Sequence, residues 1–403
     1  MRADPKAKYL MLHLGLRHDF LWYISVGRRR MAIESVDPAN RRALIEFIRM
    51  AWRVYRYDTH WVPPIVVDYL HFLMPDKNPF FSHAQAAYFL SRDAKGKPQG
   101  RIAITIDHKY QEFKGEKMGA FGFFEVIEDY SVAEELLDAG VAWLRERGVE
   151  VVRGPLSFSM NHECGLLIQG YYEDPMIMMP YNPPFYQDFL ERYGFVKAKD
   201  LHAYWFDAWQ DLPPGTLDLA EKLQKRYGFK IRKANVRRFN EELERFISVY
   251  NEAWEDNWGF VPLDREEMIY MAKRLKPLVV PDLALIAEDA QGKPVAVSLT
   301  LPNYNQVFKR MKGSLFPLGI FKFYFYSRHV SNARLMALGV KKNFRNKGLE
   351  LLLSLHSLEA GRKKGYHGGE LSWTLEDNYA VNSFIERFGC EVYKKYRIYE
   401  KKV

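Results

Sequence analysis

Val340-Lys341-Lys342-Asn343-Phe344-Arg345-Asn346-Lys347-Gly348-Leu349-Glu350 is the stretch of this 403-residue chain whose residue types and spacing most directly imply chemistry. The apolar run Ala333 to Gly339 before it reads as a strand, and Leu351 to Ala360 after it reads as a helix. A strand, a basic turn with one glycine and a helix start aim backbone N–H groups and cationic side chains at one spot, as proteins do to hold phosphate. Arg345, Asn346, Lys347, Gly348 and Leu349 are the candidate contacts. Glu350 argues against them, because a carboxylate at a helix N-terminus repels phosphate unless it points away. A solvated basic turn is the other reading of the same residues.

Proton chemistry has candidates in two places. Gly154-Pro155-Leu156-Ser157-Phe158-Ser159-Met160-Asn161-His162-Glu163-Cys164-Gly165 sets polar residues densely between apolar ones after a strand end, where ligands bind in α/β folds. His162 and Glu163 could take a proton from an attacking amine, or could simply hold their own turn by hydrogen bonds. Cys164 reads as a small buried apolar group rather than a nucleophile. Glu370 near the start of a second strand candidate, Gly369 to Leu375, and Glu376 just after its end could each serve as a base. Asn378 then opens a helix, Tyr379 to Phe388, which Gly389 stops.

Composition limits what surrounds these residues. A chain of 403 residues is too long for one ordinary core, so two domains are expected. Two cysteines, Cys164 and Cys390, make neither a disulfide framework nor a four-cysteine zinc site, and no metal is expected. That cysteine usage suits a cytoplasmic protein. The net charge of +9 favours anionic partners, of which nucleic acid is the weakest, because no zinc-finger spacing or RNA-recognition aromatic motif occurs. No run of 18 apolar residues is present to span a membrane. Arg28-Arg29-Arg30 before Met31 suggests that translation starts at Met31 and that residues 1–30 are an extension, with a basic amphipathic anchor as the alternative.

From Met31 the elements run in the same order twice. The first half begins with a strand, Ala32 to Val36, then a helix from Asn40 to Tyr57. Strands follow at Ala86 to Ser91, Gln99 to Asp107 and Gly119 to Val126, then a helix from Val132 to Arg147 and a strand from Glu150 to Arg153. A long insertion leads to a helix, Pro183 to Tyr193, and a closing strand, Leu201 to Phe206. Residues 208–227 read as a linker with a connecting helix. The second half shows a strand at Lys230 to Lys233, a helix from Phe239 to Trp254, a hairpin of Leu283 to Glu288 with Val295 to Leu301, and the strand–loop–helix of the basic turn. Two methionine- and aromatic-rich stretches, Tyr171 to Asn182 and Pro302 to Tyr326, could line a long apolar pocket, pack as core or touch a membrane surface.

Arg345 and Gly348 match the Arg/Gln-x-x-Gly-x-Gly/Ala loop of the GCN5-related N-acetyltransferase (GNAT) superfamily, and Asn378 sits where that family keeps an asparagine. In element order the chain resembles tandem GNAT proteins from residue 31 to residue 403, with halves at 31–207 and 228–403. The resemblance implies an α/β (α+β) fold of two GNAT-like domains, each a mixed, mainly antiparallel sheet flanked by helices. It implies an acyl-coenzyme A co-substrate in the second half, polarised at its thioester by backbone near Leu338 to Val340, and an amine acceptor, which the bulky insertions make small-molecule or lipidic. The family's leaving-group tyrosine is replaced by Ile385. In the first half, Ile127-Glu128-Asp129-Tyr130 puts two acids in place of the basic loop, so no coenzyme is expected there. A binding protein with a decayed coenzyme site and a Fem-like, aminoacyl-tRNA-dependent transferase stay open beside the acyltransferase, as does a peripheral place on a membrane.

Overall fold

The computed structural model describes residues 32–403. The proposed start at Met31 and the extension before it lie outside the described residues. Among the described residues, thirteen strands form one mixed sheet flanked by helices. The strands are β1 (Ala32–Val36), β2 (Ala84–Arg92), β3 (Pro98–Asp107), β4 (Met118–Val126), β5 (Val151–Gly154), β6 (Leu166–Gln169) and β7 (Val196–Asp207). They continue as β8 (Lys230–Lys233), β9 (Ala284–Glu288), β10 (Pro294–Pro302), β11 (Asn332–Val340), β12 (Gly368–Leu375) and β13 (Glu391–Lys402). Their order in space is β1-β2-β3-β4-β5-β13-β7-β12-β11-β10-β9-β8, and β6 also pairs with β13.

The centre of that order departs from two separate sheets. The C-terminal strand β13 pairs with β5 and β6 of the first half, while β7, the last strand of the first half, pairs with β12 of the second. β13 and β7 then pair with each other over most of their length. Each half thus lends a strand to the other, and the two are joined by backbone hydrogen bonds. Tyr396, Ile398 and Tyr399 of β13 are buried, so the exchange is fixed by core packing as well as by the ladder.

Local sequence explains the flanking helices. The helix Tyr130–Arg145 starts where the Asp129 carboxylate accepts the Ser131 N–H at 3.0 Å. It buries Val132, Ala133, Leu136, Leu137, Val141 and Leu144, a helical stripe facing the sheet. In the second half, the helix Leu349–Lys363 buries Leu349, Leu351, Leu352 and Leu353. The segment read as one helix from Asn40 to Tyr57 is two, Arg41–Arg49 and Ala51–Val54. The helix Phe239–Trp254 and the strand Lys230–Lys233 fall where the sequence placed them.

In each half one parallel pair opens part-way along. β4 and β5 pair from Met118/Val151 to Ala120/Arg153 and then separate. β11 and β12 pair from Asn332/Gly368 to Leu335/Leu371 and then separate. The wedge between two diverging strands exposes backbone groups with no ladder partner, which must be satisfied by chain, water or ligand.

Candidate active site

The second wedge opens into a cavity of about 1230 Å³. Met336 to Leu338 form one wall and Ser372 to Leu375 the other. The outer wall is apolar, built by Leu243 and Phe246 of the helix Phe239–Trp254 and by Met268, Met271 and Leu275 of the helix Arg265–Leu275. Opposite Leu299 and Thr300 the register of β10 and β11 shifts, so that Met336 is an extra residue. Such a bulge bends the strand and frees backbone groups beside the opening.

A buried polar network lies on the β12 wall. Glu370 is 0% exposed. Its carboxylate accepts hydrogen bonds from the hydroxyls of Ser372 and Tyr393, and the Arg334 guanidinium lies 3.7 Å away. Arg334 donates to Ser372 Oγ at 2.8 Å and to the Ile177 carbonyl at 2.8 Å, tying the methionine-rich insertion to the site. Burial, then the neighbouring Glu370 carboxylate, raises the Tyr393 hydroxyl far above the ordinary tyrosine range, so it stays a donor. Burial lowers the Arg334 guanidinium, and Glu370 acts in the opposite direction. A buried charge persists only when paired and hydrogen-bonded, and this network supplies both.

His162 reaches the same cavity from the first half. Its Nδ1 lies 3.0 Å from Ser159 Oγ and its ring packs against Phe72 at 5.0 Å between centroids. Burial, followed by the nearby Arg274 charge, pushes it down to about 4, so it is a neutral imidazole at pH 7. Glu163 accepts from the Tyr69 hydroxyl at 3.2 Å, and burial raises its carboxyl. Cys164 is a free, buried thiol that burial pushes up to about 12. Glu376 lies elsewhere: Lys197 Nζ is 2.6 Å from its carboxylate, which also accepts the Asp200 N–H at 3.0 Å.

The basic turn is ordered by chain contacts. Gly348 sits at φ +79°, and a Cβ there would come within 2.3 Å of Leu223 on the connecting helix Thr216–Tyr227. Asn346, Glu350 and Asn378 line the cavity, as does Leu338. Leu349 and Val340 are core residues instead. Arg345 donates to the Ala253 carbonyl at 2.9 Å, and Lys342 Nζ lies 2.9 Å from Glu255 and 3.1 Å from Asp256. Lys347 lies over the Phe344 ring at 4.6 Å. Burial raises the Glu350 carboxyl, while its own backbone N–H and Arg345 hold it down. Asn378 caps the helix Tyr379–Glu386, and the buried Asn382 amide donates to the Leu375 carbonyl at 3.0 Å.

Arg334, Ser372, Tyr393 and Asn382 were not read from the sequence as site residues. Ser372 is two residues from Glu370, on the alternate-residue face of one strand, and that spacing was the available signal. Tyr393 arrives on β13 and Arg334 on β11, a juxtaposition that depends on sheet order.

Comparison with known proteins identifies the family and the fold. No protein-family model matches the chain. Protein YghO of Escherichia coli K12 is 34% identical over 372 residues, covering 90% of this chain and 94% of its own. The bacterial ceramide synthase of Caulobacter vibrioides is 34% identical over 378 residues, covering 91% and 97%. A tandem GNAT protein from the clavulanic acid biosynthesis pathway superposes with a TM-score of 0.55 at 11% identity, covering 92% of this chain and 98% of that one. A GCN5-related N-acetyltransferase from Sphaerobacter thermophilus gives 0.51 at 13% identity, with 92% and 95% covered. A GCN5-related glucosamine N-acetyltransferase region of a fungal multi-domain β-N-acetylglucosaminidase gives 0.58 at 12% identity, covering 94% of this chain and 39% of that longer one. The fold is therefore that of tandem GNAT proteins, and the chain belongs to the family of YghO and the bacterial ceramide synthase.

Proposed function

We propose that this protein is an N-acyltransferase that moves a long acyl group from coenzyme A to the amine of a lipidic acceptor, forming an amide. The observation that carries the proposal is the size and lining of the second wedge. About 1230 Å³ exceeds the roughly 300–1,000 Å³ of ordinary small-ligand pockets. Its outer wall is aliphatic, aromatic and methionine-rich, as a hydrocarbon chain requires. Membership of a family that contains a ceramide synthase supports the same reading.

The residues at the mouth fit a phosphate-bearing co-substrate. Gly348 and Asn346 both hold positive φ ahead of the helix Leu349–Lys363, whose first N–H groups have no intrahelical partner. Glu350 is the counter-argument, and its raised carboxyl lowers the cost of placing an anion beside it. An acyl thioester would lay its carbonyl along β11 past Leu335, where N–H groups no longer face a paired β12 and can stabilise an oxyanion. The attacking amine must shed a proton as the C–N bond forms. Glu370 on the cavity wall is the acceptor we assign, with Tyr393 and Ser372 orienting its carboxylate. Proton acceptance by Glu376 would require breaking its contact with Lys197. The proton taken up by Glu370 is then passed, directly or through water, to the expelled thiolate, which leaves as free coenzyme A and returns Glu370 to its carboxylate form.

The test pairs acyl-coenzyme A species of two to eighteen carbons with a long-chain amino alcohol and looks for the amide by mass spectrometry. Amide that increases with chain length supports the proposal. Turnover of acetyl-coenzyme A alone, on a small hydrophilic amine, would point to an ordinary acetyltransferase.

A further inference from the structure

A second apolar feature lies outside the cavity. Phe316, Leu318, Ile320, Phe321, Tyr324 and Phe325 are all exposed, from 44% at Ile320 to 72% at Phe321. They lie on or next to the helix Leu318–Tyr326. That helix is held by its other side: Phe323 stacks on Tyr304 at 5.3 Å and on Phe308 at 6.2 Å. Gly319 lets it press on the preceding turn, where a Cβ would come within 2.1 Å of the Ser314 carbonyl. The outward residues are therefore presented by a fixed element. Single exposed apolar residues are ordinary, but a contiguous exposed aromatic patch marks a docking surface.

Charge identifies the occupant. Between Asp289 and Glu350 the chain contains no acidic residue, while Arg310, Lys312, Lys322 and Arg328 fall in and around the helix. Arg310 lies over the Tyr326 ring at 4.3 Å and Arg328 over Tyr324 at 4.6 Å, so cations rim the aromatic face. Exposed aromatic rings with arginines over the Tyr324 and Tyr326 rings match the interfacial and phosphate layers of an anionic bilayer surface. We infer that this face seats the protein on an anionic membrane, with the rings of the helix in the lipid interface. The helix also shares its inner packing cluster with Met178, Leu275, Val279 and Met336, which line the cavity. Docking there would bring the wall of the cavity close to the lipid.

Vesicle flotation of the full-length protein tests this without reference to activity. The probes are vesicles of phosphatidylcholine alone and of phosphatidylcholine with 30% phosphatidylglycerol. The expected result is binding to the mixed vesicles that weakens with salt, and at least about a tenfold loss of binding in Phe321→Ser/Phe325→Ser. Arg310→Glu/Lys312→Glu should lose the preference for the anionic lipid. An unchanged thermal midpoint and acyl-coenzyme A shift in each variant show that the fold and cavity are intact. Absence of flotation with either vesicle, or variant binding equal to wild type, overturns the inference. So does a wild-type dimer that the phenylalanine variant splits, since the patch would then be an interface between two copies.

Discussion

The two wedges of this sheet have the same topology and opposite contents. In the first, the chain leaving β5 turns back and fills the gap: the Leu156 N–H donates to the Phe121 carbonyl at 2.8 Å. Gly122 is essential to that closure, since a Cβ there would come within 1.8 Å of the Leu156 carbonyl oxygen. Phe158 then packs against Phe72, Phe80 and Phe123 with centroids 5.0 to 5.3 Å apart. The next helix begins with Asp129 satisfying its own N-terminus. In the second, β12 continues past the pairing with a register shift at Trp373, the Arg334 side chain on β11 reaches Ser372 on β12 where the strands part, and the cavity lies beyond. One short loop thus separates a packed wedge from a hollow one, because unpaired backbone at a splay must find a partner and takes the nearest available.

The comparison can be broken hardest at Glu370. Glu370→Gln keeps the shape of the network but removes the acceptor, and kcat should fall by about 10²-fold or more. Glu370→Ala should also cost about 3–5 kcal/mol in a urea titration, because Arg334 is left buried without its carboxylate. A wild-type rate in Glu370→Gln would make the network a structural tie, like the loop that fills the first wedge.

Prising open the first wedge is the converse experiment. Gly122→Ala should displace the Leu156 loop and lower stability by at least about 1–3 kcal/mol. Hydrogen exchange should rise over residues 155–165, and an unchanged exchange pattern would contradict the closure described here.

The mouth of the second wedge offers a smaller effect. Glu350→Gln removes an anion from the helix N-terminus, and acyl-coenzyme A should bind up to about tenfold tighter by calorimetry. Weaker binding would mean that Glu350 is a positive contact rather than a penalty.

The smallest effect concerns the seam between the halves. His83 Nδ1 lies 3.0 Å from Asp107 and its Nε2 3.3 Å from Glu267 in the second half, where Lys109 also reaches Glu267 at 3.3 Å. Burial opposes the His83 charge, but the hydrogen bond to Asp107 and the adjacent Glu267 carboxylate outweigh it and raise the group to about 9. A raised pKa stabilises the fold fully below the unfolded value of about 6.5, and that contribution is lost as pH rises through about 9. The thermal midpoint should therefore decline over this window in wild type and more shallowly in His83→Gln. Parallel profiles would remove His83 from the seam.

Much of this organisation can be read along the chain. Period-two and helical patterns place most strands and helices, because a half-buried element advertises its buried face. The basic turn, the Asn378 cap and Gly348 are equally visible, since they are local solutions to local backbone needs. Glu370 can be found as a carboxylate in an apolar strand. Its partners are not legible, because Arg334 and Tyr393 are 36 residues before it and 23 after it and meet it only through sheet order.

The exchange of β7 and β13 and the contents of the two wedges arise at that same level. The strand β13 carries the alternation of any half-buried strand, which says that it pairs but not with which neighbour. The repeat of elements suggested two sheets, and the three-dimensional packing made one. The aromatic run around Phe321 shows the same division. Its hydrophobicity is plain in the sequence, but a buried helix and an exposed one share that composition, and only the neighbours brought by the fold determine which side meets water.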